Sequence, residues 1–188
     1  MSDRTPKETD FARPVDRWAL AEAVPDTIIS LPTPRTHEEE RVRREFRGRV
    51  RAAGATLGFE SGPEGVWRSS TGVTISTRLS ERPVTPAAAV HFVTQIVRAA
   101  QEGSAPRAVL FVVAHPEAAV SFTVAIRHCD VYDLVRTITV DDLELLAVLV
   151  GEGRVTHEDA VSVLAPVAGI DAGALVNAVA RACVRGSE

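Results

Sequence analysis

Apolar residues recur at helical spacing in the first strongly patterned segment of this chain. Four of them lie three or four residues apart and make one stripe: Val42, Phe46, Val50 and Ala53. Thr36 and Glu39 occupy the two positions of a capping box, and acidic residues follow in the first turn, where the helix N-terminus favours negative charge. The pattern predicts a helix that begins after Thr36 and ends at Gly54.

A two-residue alternation replaces helical spacing in the next segment. Short strands are predicted at 55–60, 65–69 and 73–80, and Thr71-Gly72 is predicted to form the turn between the last two. Alternate side chains of the third strand point to opposite sides of the sheet. One side carries Val73, Ile75, Thr77 and Leu79, and the other carries Thr74, Ser76, Arg78 and Ser80. The meander is therefore expected to have an apolar and a polar face.

Longer helices and valine-rich strands alternate after the meander. The predicted helices are 85–101, 116–128 and 141–150, the last capped by Asp141, and the predicted strands are 107–115 and 135–140. A strand that is apolar throughout, such as 107–115, is typical of burial on both faces, and strand–helix–strand order favours parallel pairing. The predicted fold class is α/β, with a central mixed sheet of about five strands flanked by helices.

Three segments are expected along the chain. Residues 1–35 contain five prolines and are predicted to be an extended arm, partly disordered, whose Trp18 and Ile28 pack on the core or on a partner. Residues 36–150 are predicted to be the α/β core. Residues 151–188 are predicted to be a small C-terminal helical appendage, with helices at 156–164 and 171–184.

Composition limits the chemistry that the chain can perform. The net charge of −4 over 188 residues gives no global attraction to nucleic acid or to an anionic membrane. Lys7 is the only lysine, so the predicted core has none for Schiff-base formation or phosphate binding. Cys129 and Cys183 lack metal-ligand spacing and are predicted to be free thiols. Without a signal segment or a long apolar run, the chain is expected to be cytoplasmic, with no membrane partner. No cofactor and no metal are expected either.

The element order of helix, three-strand meander, helix, strand, helix and strand resembles the core of the restriction-endonuclease-like superfamily, the PD-(D/E)xK nucleases. The resemblance covers about residues 36–150 and rests also on the phrase Pro63-Glu-Gly-Val-Trp67 and on the strand–helix junction at 135–143. It implies two acids that hold Mg²⁺, the second on the third strand, and a lysine two residues later that helps to activate water. Carried onto this sequence, the first acid is Glu64 and the second acid and the lysine fall at Ser76 and Arg78.

These two substitutions change what the resemblance implies about activity. Serine cannot serve as a charged carboxylate ligand, and arginine stays protonated, so Arg78 can contact a phosphate but cannot accept a proton. Gln95 on the following helix stands where some members of the superfamily place a supporting glutamine. The resemblance therefore implies a non-catalytic, pseudo-nuclease domain, and catalysis is not expected.

Arginines on the first helix and in the meander are the candidates for nucleic-acid binding. The six candidates are Arg41, Arg44, Arg47, Arg51, Arg68 and Arg78. Alternatively, the first helix has a solvated, salt-bridged face, because Glu39–Arg43, Glu40–Arg44 and Glu45–Arg49 stand at the i,i+4 spacing of helical ion pairs. An unbroken basic face that includes Arg68 and Arg78 would favour nucleic acid, and matching of each arginine by a glutamate would favour assembly.

Two functions are carried forward from the sequence. The first is a nuclease-like domain that binds DNA, or acts as a subunit of a DNA-processing or defence complex, without cutting. The alternative is a protein-interaction protein without nucleic-acid binding, which forms a homodimer or joins a complex through the N-terminal arm. A third possibility is a small-molecule enzyme that uses the carboxyl edge of the sheet near His115.

Overall fold

A computed structural model of the chain describes residues 36–62, 65–103, 108–165 and 172–185. The strands are β1 (Glu60–Ser61), β2 (Val66–Arg68), β3 (Thr74–Ser80), β4 (Val109–Val113) and β5 (Val135–Thr139). The helices are α1 (His37–Thr56), α2 (Pro86–Gln101), α3 (Pro116–Cys129), α4 (Val140–Gly151), α5 (His157–Leu164) and α6 (Ala172–Arg185). The predicted arm, residues 1–35, lies outside the described residues, as does Glu64.

The strands form one mixed sheet in the order β1-β2-β3-β4-β5. The first three strands pair antiparallel as a meander, and β3, β4 and β5 pair in parallel. Helices α2 and α3 are the crossovers of the two parallel connections. The predicted α/β class and the mixed five-stranded sheet are confirmed.

Two apolar cores lie on opposite faces of the sheet. On one face, Trp67, Ile75 and Leu110 pack with buried residues of α1, α4, α5 and α6. On the other face, Val109 and Phe111 pack with buried residues of α2 and α3. Neighbouring residues of a strand point to opposite faces, and helices cover both faces here. Strand β4 is therefore buried along its whole length, as its apolar run predicted.

Helix α1 begins as predicted but ends later. The Thr36 hydroxyl accepts from the backbone N–H of Glu39, and the Glu39 carboxylate accepts from the backbone N–H of Thr36, which completes the capping box. The predicted end at Gly54 is wrong, because α1 continues to Thr56, and the first strand is accordingly shorter than the predicted 55–60. Gly54 is buried against the Trp67 side chain, so the glycine serves the packing of the helix on β2 and does not end the helix.

Helix α4 is capped by a different residue from the one predicted. The Thr139 hydroxyl accepts from the backbone N–H of Asp142, so Thr139 is the N-cap and Asp141 lies in the first turn. Both threonine and aspartate are good N-caps, and the strand that precedes the helix decides between them. Strand β5 ends at Thr139, and α4 follows without a linker.

The two C-terminal helices share the core of the α1 face. Leu164 of α5 and Val176 of α6 are fully buried among residues of α1 and α4. The buried Arg136 of β5 donates from Nη1 to the backbone oxygen of Val163, 3.0 Å away, and so joins the sheet to α5. The described residues from Thr36 onward belong to one compact unit, and no helix among them is both long and apolar enough to cross a membrane.

Candidate nucleic-acid interface

The arginines of α1 fall into two groups, and the first group is held by carboxylates. Arg41 pairs with Glu38 at 2.5 Å, and Arg43 lies 3.8 Å from Glu40. Arg49 makes a forked contact with Glu144 of α4, at 2.8 Å from Nε and 2.6 Å from Nη2. The three predicted pairs, Glu39–Arg43, Glu40–Arg44 and Glu45–Arg49, are therefore wrong. Arg43 lies near Glu40 and, at 3.7 Å, near Glu81, which follows β3. Among the described residues, Arg44 hydrogen-bonds only to the backbone oxygen of Glu40, and Arg49 contacts another helix.

Hydrogen bonds within these ion pairs shift the pKa values of Glu38 and Arg49. The Arg41 guanidinium, through a hydrogen bond and its charge, lowers the pKa of the Glu38 carboxyl. The hydrogen bonds that Arg49 donates to Glu144 and Asp141 raise its pKa. The Arg49 contacts join α1 to the first turns of α4, so this arginine is part of the folded framework.

The second group consists of Arg44, Arg47 and Arg51, which we call the α1 arginine stripe. They lie at i, i+3 and i+7 on one side of the helix, and all three are exposed. Arg44 donates from Nε to the backbone oxygen of Glu40 at 3.4 Å. Within the described part of the chain, none of the three has a carboxylate within ion-pair distance. The stripe therefore presents three charges that solvent or a ligand must satisfy.

Arg68 and Arg78 lie on the other face of the sheet. Arg68 follows the buried Trp67, which faces α1, and Arg78 stands beside Phe111, which faces α3. Both arginines are exposed and have no ion-pair partner in the described ranges. They are therefore separated from the α1 arginine stripe by the sheet itself, and the candidates form two basic surfaces.

The motif positions of the meander do not converge on a metal site. Ser76 is on β3 between Val66 and Val109 and is only 5% exposed. Gln95 is exposed on α2, where its Nε2 lies 2.9 Å from Nε2 of His91. Across residues 36–62, 65–103, 108–165 and 172–185, no three His, Cys, Asp or Glu side chains are grouped so that they could hold a metal ion.

A shallow cleft of about 210 Å³ lies at the carboxyl edge of the sheet, where a small-molecule enzyme would use His115. Glu39, Glu81, Arg82 and His115 are among its lining residues, and Arg82 pairs with Glu39 at 2.8 Å. An enzyme that uses a thiol at this edge would need a cysteine beside His115. Cys129 instead lies at the far end of α3, about 20 Å away along the helix axis. The thiol and the imidazole therefore do not meet.

No protein-family model, curated protein or solved structure matches this chain. The function must therefore be inferred from its own residues.

One polar cluster was not predicted from the sequence. His157 of α5 donates from Nδ1 to the backbone oxygen of Leu57 at 2.5 Å, since a carbonyl can only accept. Its Nε2 accepts from the Ser69 hydroxyl at 2.7 Å, and the oxygen of that hydroxyl accepts from the backbone N–H of Thr71 at 3.1 Å. Residues 57, 69 and 157 are too far apart in sequence for any spacing rule to connect them. The cluster joins the end of α1, the β2–β3 turn and the start of α5.

Replacement of Ser69 by alanine is expected to destabilise the protein by about 1–3 kcal/mol, because the acceptor nitrogen of a half-buried His157 loses its partner. The urea midpoint at neutral pH measures the effect. Ser70→Ala is the matched control, since Ser70 is exposed and is expected to change stability by less than about 0.5 kcal/mol. Equal midpoints for the two variants would show that the cluster contributes nothing to stability.

Proposed function

We propose that this chain is a nuclease-like domain that binds DNA and does not cut it, acting alone or as a subunit of a DNA-processing complex. The observation that carries the proposal is the division of the α1 arginines. Those that support the fold, such as Arg49, are held by carboxylates, whereas Arg44, Arg47 and Arg51 are exposed and have no carboxylate partner in the described residues.

An exposed row of arginines suits a phosphate backbone. Residues 44 and 51 are seven positions apart, so the α1 arginine stripe extends about 10 Å along the helix. Successive phosphates of one DNA strand advance about 3.4 Å along the duplex axis, so the stripe spans about three steps. A guanidinium group can bind two phosphate oxygens at once in a planar, bidentate geometry that the lysine ammonium group cannot reproduce.

The order of elements gives further support. The chain forms a helix, an antiparallel meander and two parallel crossover connections, in the order on which the resemblance to PD-(D/E)xK nucleases rests. Within that resemblance, β3 is the strand that would bear the second acid and the lysine. Ser76 and Arg78 take those positions, and neither can carry out the role of the residue it replaces.

Arg68 and Arg78 provide a second, smaller basic surface on the opposite face. Arg78 stands at the position of the water-activating lysine, where an exposed guanidinium can bind a phosphate oxygen and hold it without promoting attack on it. The proposal therefore assigns DNA contact chiefly to the α1 arginine stripe and a secondary contact to the meander.

A salt titration of DNA binding tests the proposal. Fluorescently labelled duplex and single-stranded DNA are expected to bind at ~50 mM salt and to dissociate steeply as salt rises, because protein binding releases the counterions that condense on DNA. Labelled DNA incubated with the protein and Mg²⁺ or Mn²⁺ is expected to stay intact. Absence of binding to both forms of DNA at ~50 mM salt would contradict the binding, and metal-dependent cleavage would contradict the pseudo-nuclease assignment.

The alternative function, assembly through the N-terminal arm, falls on residues outside the described part of the chain. The C-terminal helices give it no additional apolar surface where they are described, because the buried residues of α5 and α6 belong to the core. Self-association is supported instead by a different surface, the outer side of α3.

A further inference from the structure

The outer side of α3 carries an apolar and charged stripe that takes no part in the cores formed by the described residues. Its members, which we call the α3 stripe, are Glu117, Val120, Val124 and Arg127. They are separated by three, four and three residues, so they lie in one row along the helix. Val120 is 64% exposed and Val124 is 50% exposed. The inner side of the same helix, including Phe122 and Ile126, is buried against the sheet.

Neither helix propensity nor packing within the described residues accounts for the two valines. Valine is a poorer helix former than alanine, leucine, glutamate or lysine, because its branched side chain is restricted against the preceding turn. At an exposed helical position a straight-chain or polar residue would give a more stable monomer. Phe92 of α2, 44% exposed and 6.4 Å from the ring of Phe122, adds apolar surface to the same layer.

The charges at the ends of the α3 stripe have no partner within the described chain. Glu117 and Arg127 make no ion pair there, whereas Arg49 and Arg82 of the same fold form ion pairs of 2.6 to 2.8 Å. Glu117 and Arg127 each lie five residues from Phe122, and the two valines each lie two residues from it. The four residues of the α3 stripe are therefore placed symmetrically about position 122, with a negative charge at one end and a positive charge at the other.

We propose that the α3 stripe is the interface of a homodimer in which α3 packs antiparallel against α3 of a second copy across a two-fold axis near Phe122. This arrangement places Val120 against Val124 of the second copy, and Glu117 against its Arg127. A two-fold interface requires a surface that is complementary to itself, and the α3 stripe meets that requirement at every member. The proposal is independent of DNA binding and of the N-terminal arm.

Charge selects the antiparallel arrangement over the parallel one. Parallel packing would set Glu117 beside Glu117 and Arg127 beside Arg127 of the second copy, and like charges opposed across an interface are strongly unfavourable. Antiparallel packing instead gives two ion pairs that flank a cluster of four valines. A single helix pair buries less than the roughly 1,200 Å² typical of stable complexes, so the dimer is expected to be weak and to depend on protein concentration.

Charge exchange tests the proposal with the full 188-residue chain. Sedimentation velocity over a concentration series up to about 1 mM is expected to show a monomer–dimer equilibrium for the wild type. Glu117→Arg and Arg127→Glu are each expected to weaken dimerisation at least about tenfold, because each variant opposes like charges. The double variant Glu117→Arg/Arg127→Glu is expected to dimerise like the wild type, because the complementary pairs are restored with their signs exchanged.

Mixing the two single variants gives the most selective result. A heterodimer of Glu117→Arg with Arg127→Glu has opposite charges at both ends of the helix pair, so the mixture is expected to associate more tightly than either variant alone. Circular dichroism of each variant establishes that it is folded. A wild type that stays monomeric up to about 1 mM, single variants that dimerise like the wild type, or a double variant and a mixture that both fail to associate would each overturn the proposal.

Discussion

A protein in which Arg44, Arg47 and Arg51 are all replaced by glutamine is expected to lose its binding to DNA at physiological salt. Glutamine keeps the helix propensity of the side chain but removes the charge. Each phosphate contact that is lost lowers the slope of log affinity against log salt by roughly 0.9, so the slope of any remaining binding is expected to fall by about 2.7. Because the three side chains are exposed and have no carboxylate partner within the described residues, the fold is expected to be retained.

The matched control removes the same charge elsewhere. Arg98, Arg154 and Arg181 are exposed and lie outside α1 and the meander, so their triple replacement by glutamine changes the net charge equally. Arg154 pairs with Glu152 at 3.0 Å, and loss of this exposed ion pair is expected to cost less than about 1 kcal/mol. Fluorescence anisotropy of a labelled duplex between ~50 and ~200 mM salt compares the two variants with the wild type. If the two triple variants lose affinity to the same extent, net charge governs binding and the assignment to the α1 arginine stripe is wrong.

The partners of the α1 arginines show where sequence reasoning stops. Spacing rules consider residues three and four apart on one helix, and they correctly indicate that part of the helix is salt-bridged. They cannot foresee that α4 supplies Glu144 to Arg49, because that contact joins residues far apart in the chain. They also cannot separate Arg43, which lies at a flank of the core, from Arg47, which is fully outside it.

The fold itself was predictable because its signals are local. The capping box at Thr36, the two-residue alternation of β3 and the continuous apolar run of β4 each depend on a few neighbouring residues, and each matches an observed element. The Ser69–His157 contact was not predictable, since tertiary packing alone brings a turn and a distant helix together. The predicted end of α1 was wrong for a similar reason, because Gly54 packs against a residue of β2.

Gly54→Val is expected to destabilise the protein by about 3 kcal/mol or more. Gly54→Ala is expected to destabilise it by about 1–3 kcal/mol, although alanine is a better helix former than glycine. A Cβ atom at position 54 would lie 2.7 Å from Cζ2 and 2.9 Å from Cε2 of Trp67. The indole cannot move aside easily, because it is 3% exposed and stacked on Phe59 with ring centroids 5.3 Å apart. The steric cost therefore exceeds the propensity gain of about 1 kcal/mol.

The same helix supplies the control of opposite sign. A Cβ atom at position 48 would meet nothing within 4 Å beyond its chain neighbours and the backbone of its own helix, so Gly48→Ala is expected to stabilise the protein by about 0.5–1 kcal/mol. Urea unfolding of both variants tests the contrast, and a stabilising Gly54→Ala would contradict the packing argument. Trp67→Phe removes the atoms nearest to position 54, so in the double variant Gly54→Ala/Trp67→Phe the two costs are expected to be less than additive. Strict additivity would mean that the alanine and the indole do not oppose each other, and that Gly54 is required for another reason.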